Sequence, residues 1–199
     1  MMQSVMLCQL MVSTLIATRV IRFFIRRVIG TVDGLLMLKF VNSMESIFFI
    51  LQLVKIQMQG VATASLNTDF NREDWTQACD KSILYPECDW EGECIEGASI
   101  VKKDNKLYMF YAGAYNNAPQ QIGVAVSEDG LNWKRLSEEP FLRNGKPGEW
   151  NSSESGHPHL FTDLDGRTYL FYQGNNDHGK TWYITQQEVL WKDGKPYLK

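Results

Sequence analysis

Two short stretches gather residues able to move protons and hold a polar ligand. The first is Trp90-Glu-Gly-Glu-Cys-Ile-Glu-Gly-Ala98, and the second is Glu149-Trp-Asn-Ser-Ser-Glu-Ser-Gly-His-Pro158. Glu93, Glu96 and Glu154 supply carboxyls that can give or take a proton, and His157 supplies an imidazole. Tyr115, Asn116, Asn117, Trp150, Asn151, Asn175 and Asn176 fall in neighbouring loops. Amide and aromatic side chains of this kind bind sugar hydroxyls and ring faces. Asparagine is equally a turn former, which explains most of these asparagines without a ligand. A buried histidine bonded to a neighbouring carbonyl is the plain alternative for His157, and a carboxylate bonded to backbone amides is the plain alternative for Glu96.

Such residues need a scaffold, and an internal repeat supplies one. Gly97-Ala-Ser-Ile-Val-Lys-Lys-Asp-Asn-Lys-Leu-Tyr-Met-Phe-Tyr111-Ala-Gly113 is echoed by Gly156-His-Pro-His-Leu-Phe-Thr-Asp-Leu-Asp-Gly-Arg-Thr-Tyr-Leu-Phe-Tyr172-Gln-Gly174, at an offset of 59 between the leading glycines. Each segment is an apolar strand, an Asn or Asp turn and an aromatic strand, which makes a hairpin. Gln59-Gly-Val-Ala-Thr-Ala-Ser65 is echoed by Ile122-Gly-Val-Ala-Val-Ser127, each followed by a tryptophan, Trp75 or Trp133. The unit is therefore a hairpin, a third strand and a fourth strand in about sixty residues, the recipe for a propeller blade. An all-β fold is predicted, a partial β-propeller of about two and a half blades. Its pieces are the end of one blade over 55–75, a whole blade over 96–140 and three strands of another over 156–191. Propeller sites open where each blade's first strand begins, which directs attention to the two stretches above.

Those stretches carry a resemblance. Glu96-Gly97-Ala98, followed by Ile100 and the strand Tyr108-Met-Phe-Tyr111, resembles the general-acid blade of family 43 glycoside hydrolases. Ser155-Gly-His-Pro158, with Asp165-Gly166 and Tyr169-Leu-Phe-Tyr172, is similar to the Gly-His segment of the next blade. The resemblance covers roughly residues 55 to 191. It implies a five-bladed plan, shared with the invertase-type families. It also implies cleavage of O-glycosidic bonds of oligo- or polysaccharides by an inverting pair of carboxylates. Glu96 matches the acid, with Glu93 as second candidate. His157 matches a central-channel histidine that holds a water or a structural calcium ion; no other cofactor is implied. Glu154 is placed beside it, and Glu154, His157, Tyr115, Asn116, Trp150 and Asn175 form the expected substrate-binding set. Two departures stand out. Ala98 replaces the family's proline, and no segment matches the base or the second aspartate of the first two blades. Asp33, in Val32-Asp33-Gly34, lacks the surroundings of a propeller strand and is not assigned. A shortened glycosidase is the leading reading; a non-catalytic carbohydrate-binding propeller or an inactive fragment is the alternative.

Charge separates the chain into two parts. Residues 1–60 carry net +4 and the remainder net −7, giving −3 overall. An acidic body argues against nucleic acid as the main partner. Residues 1–54 are rich in Met, Leu, Ile and Phe, and the apolar stretch from Val5 to Ala17 is short for a membrane span. Arg19, Arg22, Arg26 and Arg27 follow it, the reverse of a signal peptide. This segment is read apart from the domain at 55–199, as membrane-associated or as an out-of-frame blade, with membrane association not favoured. Codons for Val41 to Ile50, shifted by one frame, can spell an aromatic strand like the one at Lys106 to Tyr111. Cys8, Cys79, Cys88 and Cys94 form no C-x-x-C pair, which argues against zinc; Cys88 and Cys94 lie close enough to bridge without the sequence requiring it.

Overall fold

A computed structural model describes residues 35–43, 46–53, 59–65 and 67–199, apart from 68, 70, 80, 116 and 117. It contains three four-stranded antiparallel sheets, each a simple meander. The first holds β1 (Leu35–Ser43), β2 (Ser46–Leu53), β3 (Gln59–Ser65) and β4 (Thr76–Gln77). The second holds β5 (Ile95–Lys103), β6 (Lys106–Gly113), β7 (Gln121–Ser127) and β8 (Lys134–Arg135). The third holds β9 (Glu154–Thr162), β10 (Thr168–Asn175), β11 (Tyr183–Lys192) and β12 (Lys195–Leu198).

The expected partial propeller is thus found, with two additions. A fourth strand, β12, completes the last sheet. In the first sheet, β2 pairs with β3 from Gln52↔Gln59 to Ser46↔Ser65, so the boundary expected at residue 54 lies within one sheet. Residues 1–34 lie outside the described residues, as does Cys8. Among the described residues no helix is long and apolar enough to cross a membrane.

The strand β6 shows why the middle sheet forms. Leu107, Met109 and Tyr111 pack towards the first sheet with Val61 and Leu84. Tyr108 and Phe110 pack towards the third with Leu160, Leu170 and Tyr172. A strand covered on both faces reads as an unbroken apolar run, as Leu107–Ala112 does. The loops lock the stack. Asp104 and Asn105 turn between β5 and β6 with φ of 48° and 62°, the twist that a two-residue hairpin requires. The Tyr108 hydroxyl donates to the Gly194 carbonyl at 2.8 Å, tying the second sheet to the β11–β12 turn. The Leu160 amide donates to Ser99 Oγ at 2.8 Å, joining the first strands of two blades.

Candidate active site

The first strands of the second and third blades share one irregularity. Pairing of β5 with β6 runs to Ser99↔Phe110 and resumes at Glu96↔Ala112, so two residues oppose one. Pairing of β9 with β10 breaks in the same way, between His159↔Phe171 and Gly156↔Gln173. These are bulges, which re-aim side chains and strengthen the local twist. Each contains a residue in the left-handed region, Gly97 at φ 63° and His157 at φ 48°. Structural equivalence therefore pairs Gly97 with His157, an offset of 60, where the glycines of the sequence repeat gave 59. Left-handed backbone is uncommon outside glycine, and such strain concentrates at functional sites.

The two bulges lie against each other. A Cβ on Gly97 would stand 3.3 Å from the His157 Cα and 3.4 Å from Pro158 Cδ. This close approach sets Glu96, only 3% exposed, with its Oε1 3.8 Å from His157 Nε2. The other ring nitrogen, His157 Nδ1, lies 2.6 Å from Gln173 Nε2. With the amide as donor, Nδ1 accepts and the ring proton sits on Nε2, towards Glu96. Burial pushes the His157 pKa below the ordinary histidine value, against the opposing pull of the Glu96 carboxylate. A neutral ring beside a buried carboxyl follows near neutral pH.

The remaining expected residues divide. Glu154 is fully buried at the start of β9, paired through the backbone with Asn175. Asn175 is buried too; its side-chain oxygen accepts the Gly179 amide at 3.0 Å and its carbonyl accepts the Ser153 amide at 2.9 Å. Asn151 donates to Ser155 Oγ at 2.8 Å. In these contacts Asn175 and Asn151 shape loops, as turn-forming asparagines do. Trp150 lies over Gly174, where a Cβ would meet its ring at 2.7 Å, and remains 37% exposed. Tyr115 is exposed, as are Glu93 and Asn176, whereas Glu96 is enclosed. Asn116 and Asn117 lie outside the described residues. No group of three or more His, Cys, Asp or Glu side chains able to hold a metal forms among the described residues. The donors at His157 do not fit the oxygen-rich shell of calcium. Cys79, Cys88 and Cys94 are free, and burial with the nearby Glu96 carboxylate pushes the Cys94 thiol up to about 12.

Two features escaped the sequence reading. The first is Gln120, fully buried beside Glu96, to whose Oε1 its Nε2 donates. The second is Glu91, also fully buried. Its carboxylate accepts from Tyr111 Oη at 2.7 Å, from the Glu87 and Cys88 amides at 2.7 and 2.9 Å, and from Arg135 at 2.8 and 2.9 Å. Beside it Trp90 lies flat over Gly113 and Gly123, with its indole nitrogen donating to the Glu138 carbonyl at 2.8 Å. Trp90 and Trp150 are structural counterparts sixty residues apart, each covering the last glycine of its hairpin.

Comparison with known proteins gives concordant results. The sequence model of glycosyl hydrolases family 43 matches residues 58–196. Beta-1,2-mannobiose phosphorylase of Thermoanaerobacter sp. (strain X514) is 31% identical over 134 residues, 59% of this chain and 42% of that protein. A thermostable family-43 glycoside hydrolase superposes with a TM-score of 0.62 at 20% identity, covering 83% of this chain and 58% of the other. An alpha-L-arabinofuranosidase from Lactobacillus brevis gives 0.64 at 17%, covering 82% and 55%. An endo-1,4-beta-xylanase from Bacteroides thetaiotaomicron gives 0.62 at 17%, covering 83% and 58%. The chain thus spans between 42% and 58% of the length of these relatives.

Proposed function

This chain belongs to family 43 of the glycosyl hydrolases, and from that premise we propose that it acts on O-glycosidic bonds of oligo- or polysaccharides with Glu96 as the acid. The observation that carries this reading is the enclosure of Glu96 at the inner end of its blade, against His157 of the next. A carboxyl at that place can hand its proton to the leaving oxygen of a bond held across the blade ends. Trp150 and Tyr115, both partly open, offer ring faces to a sugar. The partner carboxylate of the pair has no assigned residue in this chain. Turnover of phenyl arabinofuranosides and xylosides tests the proposal: Glu96→Gln abolishes it, and unchanged turnover removes Glu96 from the reaction.

Likeness to a mannobiose phosphorylase at 31% identity favours a second reading. In phosphorolysis the attacking group is inorganic phosphate, so an acid suffices without a carboxylate base. Incubation of β-1,2-mannobiose with and without phosphate separates the two, because phosphorolysis yields a sugar phosphate. Calorimetry with the same oligosaccharides identifies a propeller that binds without turnover.

A further inference from the structure

We propose that Gln120 is a positioning residue that fixes the proton of the Glu96 carboxyl on Oε2. The inference rests on the reading of Glu96 as the acid. Gln120 closes the loop before β7 and is fully buried. Its side-chain nitrogen stands 3.1 Å from the Ala114 carbonyl oxygen and also donates to Glu96 Oε1. A carbonyl only accepts, so the amide must present nitrogen, not oxygen, on this side. Both protons of that nitrogen are then committed, one to Ala114 and one to Glu96 Oε1. In a neutral carboxyl the oxygen that accepts an N–H is the carbonyl oxygen. The carboxyl proton therefore belongs to Oε2. His157 lies on the Oε1 side as well, with Nε2 at 3.8 Å from that oxygen.

The third blade keeps the amide from turning away. The Ser155 amide donates to the Gln120 carbonyl at 3.0 Å. Gly156 leaves the space that the Gln120 side-chain oxygen fills, and a Cβ there would collide with it. That oxygen is buried without a hydrogen-bond partner. A buried unsatisfied oxygen is costly, and an apolar residue of the same length would avoid the cost. The amide, placed against Glu96 in spite of that cost, matches a task there. Gln120 thereby couples the acid of one blade to the first strand of the next.

The test uses the full chain and Gln120→Met, which keeps length and removes the donor. Infrared difference spectra against Glu96→Gln isolate the C=O stretch of the protonated Glu96 carboxyl. A carbonyl freed from its donor absorbs at higher frequency, so the band moves up in Gln120→Met. An unmoved band overturns the proposal, whether or not the chain turns over substrate. Gln120→Leu, which also removes the donor but with a different apolar shape, gives the same upward movement and covers the case in which the methionine variant folds poorly. Rates add a second readout. A dinitrophenyl glycoside needs little help from an acid, whereas a phenyl glycoside needs it fully. Loss of proton placement raises the ratio of the two rates by at least about tenfold; an unchanged ratio overturns the positioning role. Absence of turnover with every glycoside, together with a band that moves, would instead defeat the reading of Glu96 as a working acid.

Discussion

Gly97 and His157 occupy the same place in successive blades, both with positive φ, and a Cβ on Gly97 would stand 3.3 Å from the His157 Cα, a tight contact. Substitution separates conformation from chemistry here. His157→Gly relieves a left-handed histidine while losing its contact to Gln173, so unfolding free energy should stay within about 1 kcal/mol. Its turnover should nevertheless fall. Gly97→Ala keeps the histidine yet forces a Cβ into a left-handed position 3.3 Å from another backbone, which should cost about 1–2 kcal/mol. Urea unfolding of the two variants measures the difference.

The Glu91–Arg135 pair should be a main structural support of the second blade. Arg135→Met leaves a buried carboxylate without its partner, and a loss of about 3–5 kcal/mol is expected. The double variant Glu91→Gln, Arg135→Met removes both charges and should lose less. A double-mutant cycle by chemical denaturation checks this.

Acid should unfold the chain through the same carboxylate. Burial pushes the Glu91 pKa up, but the hydrogen bonds from Arg135, the Cys88 and Glu87 amides and Tyr111 outweigh it and hold it below the ordinary value of 4.5. A group depressed in the folded state stabilises above its unfolded value and loses that stability as pH falls through its folded value. The urea midpoint should drop as pH falls from about 5 towards about 2, and less steeply in the Glu91→Gln variant.

Trp90 depends on two missing side chains. A Cβ on Gly113 would lie 2.5 Å from the indole ring and 3.0 Å from the Glu91 Cα. Gly113→Ala should therefore displace the ring and destabilise by about 1–3 kcal/mol. A red shift of tryptophan emission, absent when Trp90 is first replaced by Phe, reports the displacement.

The β1–β2 hairpin invites a test at the level of the gene. Strands β1 and β2 pair ahead of β3, where a blade's aromatic hairpin belongs. The expected result is that the DNA, read one frame over, spells an aromatic strand ahead of Gln59. A stop codon in that frame across the stretch ends the idea.

The blade repeat was legible because strands covered on both faces leave apolar runs between Asp and Asn turns. The placing of Glu96 and His157 on the first strands of their blades was legible because each precedes a hairpin at a fixed distance. Their mutual geometry was not, since a bulge shifts register without changing composition; the glycine of one repeat aligns by type with Gly156, while backbone conformation aligns it with His157. Gln120 gave no signal at all, because a glutamine at a loop end is ordinary until another blade closes on it. Glu91 and Arg135 are 44 residues apart, so only the folded sheet joins them. Asn175, expected at a ligand, accepts the Gly179 amide through its side-chain oxygen, while its side-chain nitrogen is buried without a hydrogen-bond partner.

The hydrogen bond from the Leu160 amide to Ser99 Oγ has a consequence for observing the chain in motion. Its donor belongs to one blade and its acceptor to the next, so this amide is shielded by an arrangement that no single blade can supply. Its exchange with deuterium should follow the parting of two blades rather than the fraying of either, and offers a clock for their separation.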